Sequence, residues 1–206
     1  MKADAATRAR IVAAAERLFA ERGFKSVTVR EICRAAEANL AAVNYHFGDK
    51  LGLYREVLQR AAAAMRETND VARRAGEGRP PQEQLRRYVG VFLHRALRPG
   101  HEHIHRLITR EMNEPTPALD TLVEEGVRPR IQYLSGVIAR ILRCDAADER
   151  VLRCVASVQA QAITYFPNPI ASRLGLAFKP TPANIDRVAD HIATFSIAGV
   201  RAVGRS

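Results

Sequence analysis

The stretch "NLAAVNYHFGDKLGLY", residues 39–54, decides how the rest of the chain is read. Its first half has the length of a short helix but carries Ala, Asn, Tyr and His where a solvated face usually has Lys and Glu, then stops at Gly48-Asp49 and restarts. Asn39 is a fitting N-cap for "LAAVNYHF", and Asp49 for the helix after it, because a short side-chain acceptor satisfies the unpaired N–H groups of a first helical turn. Upstream, Thr28 precedes "VREICRAA" with Glu31 three residues on, the pattern of a capping box.

Further upstream, "TRARIVAAAERLFAER" puts Ile11, Ala14, Ala15, Leu18 and Phe19 on one face at helical spacing, and Gly23 closes that helix. A longer helix packed on two short ones joined by a tight turn is the helix-turn-helix arrangement. At about 100° per residue, Val43 and Phe47 fall together as the apolar anchor of the second short helix. Ala41, Ala42 and Tyr45 then face outward, Asn44 and His46 lie on the flanks, and Leu40 falls nearer the core. Small residues let a helix approach base pairs, Asn can pair bidentately with adenine, and Tyr and His can donate to phosphates. Lys50, in the next first turn, is placed for another phosphate. A lone segment of this composition is ordinarily just a packed helix with polar tips; here caps, turn and flanking helices agree, which favours a groove-reading surface for double-stranded DNA.

The bulk properties fit that reading. The 206 residues are 47% hydrophobic, enough to fill a core, and the formal net charge is +10, which favours a polyanionic partner without choosing between nucleic acid and a membrane surface. No apolar run of spanning length and no signal-peptide pattern occurs, so a cytoplasmic location is expected. The three cysteines, Cys33, Cys144 and Cys154, lack CxxC spacing. Idle or buried thiols are therefore expected before a Cys144–Cys154 redox pair.

The remaining sequence also reads as helices, with no period-two strand pattern, so the fold class is all-α. "KLGLYREVLQRAAAAMRETNDVARRA" runs to "GEGRPP", residues 76–81, the expected hinge. Helices follow at about 82–97 and 102–113, then an apolar stretch at 118–142 expected to bend at Pro129. Two more are expected near 148–166 and 183–203, separated by a proline-punctuated segment. The resulting division is 1–50 as a three-helix DNA-binding domain, 51–75 as a connecting helix, and 76–206 as a helical effector-binding and dimerisation domain.

Residues 7–54 resemble the DNA-binding domain of the tetracycline-repressor (TetR/AcrR) family of bacterial regulators. The resemblance is carried by "RIVAAAERLFAERGFKSVTVREICRAA" and by "NYHFGDKLGLY", which is similar to the family's aromatic-His-Phe, Lys and Leu-Tyr signature. It implies a phosphate contact at Thr28, groove contacts from Leu40, Ala41, Ala42 and Tyr45, and phosphate contacts from His46 and Lys50. With the Asn39 cap and Asn44, these make up the candidate DNA-contacting set. Two positions depart from the family pattern: Glu37 stands where a turn glycine is usual, and Asn44 where Tyr is common. The family also implies a homodimeric, ligand-responsive repressor of a palindromic operator, dimerising through its last two long helices. "HRLITREMNEPTPALDTLVEEGVRPRIQYL" is similar to the CecR-type branch, from which no effector carries over.

Other features carry less. Arg110 and Glu111, close before "PTP", and Gln159 and Gln161, among apolar residues, are candidates for lining an effector pocket, with helix-end solvation and interhelical hydrogen bonding as the plainer roles. His101 and His105 sit four apart as metal ligands can, but no further ligand stands at matching spacing, so neither a metal nor a cofactor is expected. G-x-S-x-G, H-E-x-x-H and glycine-rich phosphate loops are missing from the sequence, so an enzyme is not expected. The competing binding function is a basic protein that holds duplex DNA without sequence preference.

Overall fold

The computed structural model describes residues 2–98 and 100–205, and among them every regular element is a helix. The helices are α1 (Lys2–Ser26), α2 (Val29–Ala36), α3 (Leu40–Phe47), α4 (Lys50–Gly76), α5 (Pro81–Ala96), α6 (Glu102–Asn113), α7 (Leu119–Leu122), a π-helical segment (Val123–Val127), α8 (Arg128–Leu142), α9 (Glu149–Ile163), α10 (Pro169–Arg173) and α11 (Pro182–Val203). None of them is long and apolar enough to cross a membrane.

The caps that predict α2 and α3 are present. Thr28 and Glu31 form the reciprocal capping box, and the Asn39 carboxamide oxygen accepts from Ala42 N at 2.8 Å. Asp49 does the same for α4, accepting from Gly52 N at 2.7 Å. Gly52 is there for proximity: a Cβ on it would collide with the Phe47 carbonyl oxygen, so only glycine lets the first turn of α4 close onto the end of α3. Gly23, at φ 80° and ψ 165°, interrupts α1 where the sequence predicts its end, and one further turn follows.

Two elements depart from expectation. The apolar stretch at 118–142 widens into a π-helical turn at Val123–Val127, before Pro129, which stands in the first turn of α8. The proline-rich segment contains the short helix α10, capped by Asn168.

Packing divides the chain into two compact units, Met1–Met65 with Gly100–Val127, and Arg66–Pro99 with Arg128–Ser206. The stretch 100–127, assigned by the sequence to the effector domain, thus packs with the N-terminal residues. In the first unit, Phe19, Ile32, Val43, Leu53, Tyr54, Leu58 and Leu107 share one core. In the second, α5, α8, α9 and α11 enclose Leu85, Leu93, Leu134, Ile138, Val155 and Ile192.

Candidate nucleic-acid interface

Among the described residues, α1 and α2 of the first unit pack against α3. Val43 is fully buried beneath it, while Tyr45 is 79% and Leu40 48% exposed. Ala41 and Asn44 are exposed as well. These four fall on one stripe, at positions i, i+1, i+4 and i+5 of two helical turns. The structure therefore corrects the sequence wheel at two places. Leu40 belongs to the outer face, not nearer the core, and Ala42 is half-buried against the core, not outward.

His46 is also turned inward. Its side chain is 9% exposed, and Nε2 lies 3.2 Å from Asp4 Oδ1 in the first turn of α1. Its ring meets Tyr45 edge-on at a centroid distance of 5.0 Å, so it props the tyrosine from behind. On the other flank the Arg8 guanidinium lies 5.4 Å from the Phe47 ring centroid and pairs with Glu56 at 2.8 Å, tying α1 to α3 and α4.

The turn between α2 and α3 carries the residue that departs from the family pattern. Glu37 adopts φ 49° and ψ 49°, the left-handed conformation that disfavours a side chain. Arg10 compensates: Nε donates to Ala36 O at 3.1 Å and Nη2 to Glu37 O at 3.4 Å, so α1 fastens the turn. Sequence reasoning missed Arg10, since its partners lie 26 and 27 positions away. It also passed over Arg30 and Arg34, exposed one turn apart on α2, where the spacing of four was a readable signal.

The Thr28 hydroxyl is engaged. It donates to Glu31 Oε2 at 2.7 Å while accepting from Glu31 N at 3.3 Å, and Arg22 Nη1 holds Oε1 at 2.7 Å. The bonds from Thr28 and then from Arg22 bring the Glu31 carboxyl down to about 2, so the cap stays ionised throughout the neutral range. Lys50 is half-buried, with Nζ 3.5 Å from Lys25 O and 4.5 Å from the Phe24 ring centroid. Burial pushes its pKa down, partly opposed by Glu31. At 3.5 Å that hydrogen bond is weak, so the ammonium can swing outward at small cost.

The scaffold behind these helices is a buried polar knot. Glu111, 1% exposed, accepts from Tyr54 Oη at 2.7 Å, Thr116 N at 3.1 Å and Thr116 Oγ1 at 3.1 Å. Arg110 Nη2 donates to Glu21 O at 2.6 Å, and Lys25 pairs with Glu114 at 3.3 Å. Arg110 and Glu111 thus fasten α6 to α1 and α4, inside the first unit. In the second unit Gln161 Nε2 donates to Ser196 Oγ at 3.1 Å, joining α9 to α11, and Gln159 is half-buried on α9. Of the two histidines at ligand-like spacing, His105 has its neutral form favoured by burial, while the intervening His103 pairs with Glu16 at 2.5 Å. Among the described residues no group of three His, Cys, Asp or Glu side chains is placed to hold a metal ion. Cys33, Cys144 and Cys154 are free thiols, and burial raises the pKa of Cys154.

Residues 11–57 match the family described as "Bacterial regulatory proteins, tetR family", and residues 81–200 match "HTH-type transcriptional dual regulator CecR, C-terminal domain". The chain belongs to the TetR family. This TetR-family chain carries a CecR-like C-terminal domain, and its family and fold are those of transcription regulators, not of enzymes. It is 29% identical over 119 residues to the "Probable HTH-type transcriptional regulator YttP" of Bacillus subtilis, covering 58% of this chain and 55% of that protein. To the "HTH-type transcriptional dual regulator CecR" of Shigella flexneri it is 28% identical over 151 residues, covering 69% of this chain and 67% of that one. The crystal structure of SCO4454, a TetR-family transcriptional regulator from Streptomyces coelicolor, superposes with a TM-score of 0.69 at 17% identity over 96% of this chain and 97% of that chain, a likeness of fold.

Proposed function

We propose that the protein is a homodimeric, ligand-responsive repressor that reads a palindromic operator by laying α3 in the major groove. The observation that carries this reading is the exposed stripe of Leu40, Ala41, Asn44 and Tyr45 on a helix whose opposite side is anchored by the fully buried Val43. Ala41 permits close approach, Asn44 offers a bidentate partner to adenine, Leu40 offers an apolar contact to a thymine methyl, and Tyr45 reaches base or phosphate. Ala42 supports close approach at the inner edge of the stripe. Asn39, Thr28 and Lys50 lie at helix starts, where N–H groups and the ammonium suit phosphates, with Arg30 and Arg34 adding charge. His46 acts through Tyr45. The DNA-binding part is residues 1–50, α4 connects it, and within 76–206 the helices of the second unit supply dimerisation and effector response, while 100–127 brace the head.

Dimerisation is supported by unpartnered apolar surface on the two long C-terminal helices. Phe195 on α11 is 64% exposed, and Leu152 and Ile163 on α9 are 54% and 47% exposed. His191, Phe195, Ala198 and Ala202 fall on one exposed stripe of α11, small enough around Phe195 to admit a second copy of the same face. Two heads related by a two-fold axis then meet successive major grooves, about 34–36 Å apart, and an effector that alters their spacing releases the operator.

The test is recovery and sequencing of genomic fragments retained by the full chain against excess unrelated duplex. A regulator returns a palindromic consensus with a specificity ratio of about 10³ or more. Retention without a consensus would assign the protein to nonspecific basic DNA binders instead.

A further inference from the structure

In the second unit, the last turns of α4, the turn into α5 and the middle of α8 surround an open groove of about 670 Å³. That volume lies within the range of small-molecule sites, about 300–1,000 Å³. Arg73 and Arg74 line it from α4 and Arg140 lines it from α8, against a single lining carboxylate, Glu77. The cations are only partly neutralised. Arg140 Nη2 donates to the uncharged Gln84 Oε1 at 2.6 Å, and Gln84 is itself fixed by donating to Arg79 O at 2.7 Å. The ion pair of Arg73 with Asp70 is 3.5 Å long, beyond the usual length of a charge-assisted hydrogen bond.

A second observation points to a ligand. Tyr133 lines the same groove, and its hydroxyl is buried without a hydrogen-bond partner. It lies behind Gly76, where a Cβ would stand 3.3 Å from the hydroxyl oxygen. A buried donor is rarely left unpaired, and this one belongs to a residue of the groove wall. At Gly136 a Cβ would meet nothing within 4 Å, so the floor beside Arg140 is open.

The geometry points to a binding site for a small organic oxyanion, a carboxylate or phosphate ester of metabolite size, held between Arg73 and Arg140 and completed by the Tyr133 hydroxyl. Guanidinium forks match both oxyanions bidentately, and the tyrosine ring and glycine walls accept the ligand body. As the effector site of the proposed regulator this rests on that reading, but the binding itself does not.

The test is calorimetric titration of the full chain, without DNA, with 4-hydroxybenzoate, citrate and glucose 6-phosphate. At least one probe is expected to bind saturably at one site per chain, and which probes do so separates carboxylate from phosphate recognition. Arg140→Gln and Arg73→Gln are each expected to weaken that binding about tenfold or more, the loss of one hydrogen bond to a charged group. Tyr133→Phe is expected to weaken it less. Arg187→Gln, the same charge change on α11, should leave it unaltered. Arg73 and Arg140 are exposed, so unchanged melting of the ligand-free variants confirms folding. No saturable binding of any probe, or an equal loss in Arg187→Gln, overturns the proposal. Operator binding is measured separately, so failure of either reading is distinguishable from failure of the other.

Discussion

Removing one oxygen, by Tyr54→Phe, tests whether the buried Glu111 knot holds the first unit together. The Tyr54 hydroxyl donates to Glu111 Oε1 at 2.7 Å, and burial followed by the Glu111 bond holds the phenol far above its ordinary pKa, so it stays a donor at every working pH. Phenylalanine fills nearly the same volume, and the variant loses the hydrogen bond with little repacking. A hydrogen bond to a charged group contributes about 1.5–3 kcal/mol. Glu111 keeps both donors of Thr116, so the carboxylate is not stranded and a middle value, about 2 kcal/mol, is expected. For a chain of this size that corresponds to a fall in Tm of about 4–8 °C. The assay is urea denaturation of wild type, Tyr54→Phe, Glu111→Gln and the double variant. In the Glu111→Gln background the tyrosine change should cost only about 1 kcal/mol, because the acceptor is then neutral. A cost below about 0.5 kcal/mol for Tyr54→Phe, or the same cost in both backgrounds, would mean that the Tyr54–Glu111 bond does not hold the first unit together.

Glu37→Gly should stabilise the head by about 0.5 kcal/mol, the relief of a left-handed backbone less the added freedom of the unfolded chain, and a lowered Tm would contradict it. The Glu16–His103 pair should give stability a pH signature. The Glu16 bond raises the His103 pKa, so its contribution is complete below the ordinary 6.5 and fades as pH rises through the raised value. Burial raises the Glu16 pKa, but the His103 bond and charge outweigh it, so that contribution is present above the ordinary 4.5 and lost as pH falls through the lowered value. His103→Gln should therefore melt lower than wild type near pH 6 and converge with it in the alkaline range, and a constant gap would exclude this account. Phe195→Glu should convert a dimer into a monomer in sedimentation, whereas a monomeric wild type, or a variant that stays dimeric, would remove α11 from the interface.

The sequence makes the head legible because its signals are local. Thr28, Asn39 and Asp49 each bond to an N–H three residues away, and the predicted α2 and α3 coincide with the observed spans. The faces of α3 are harder to read. Two apolar anchors, Val43 and Phe47, fix the direction of a two-turn helix only loosely, and what settles it is Asp4 drawing His46 inward from the start of α1. The same holds for α6, which the hinge at 76–81 assigns to the second domain. Its ties to the first unit run from Arg110 to Glu21 and from Glu111 to Tyr54, spanning 89 and 57 positions, and no local pattern announces them. The oxyanion groove was invisible for the same reason, since Arg73 and Arg140 meet only through folding.

The outward stripe on α3 is tested most directly by selecting preferred duplexes from a randomised pool with wild type, Asn44→Ala, Tyr45→Ala and Lys50→Ala, across a salt series. Asn44→Ala and Tyr45→Ala should relax the preference at discrete positions, with about 1–3 kcal/mol lost per contact, whereas Lys50→Ala should weaken all sequences alike and lower the salt slope by about one. Wild-type affinity and preference in both Asn44→Ala and Tyr45→Ala would contradict a groove-reading role for the stripe.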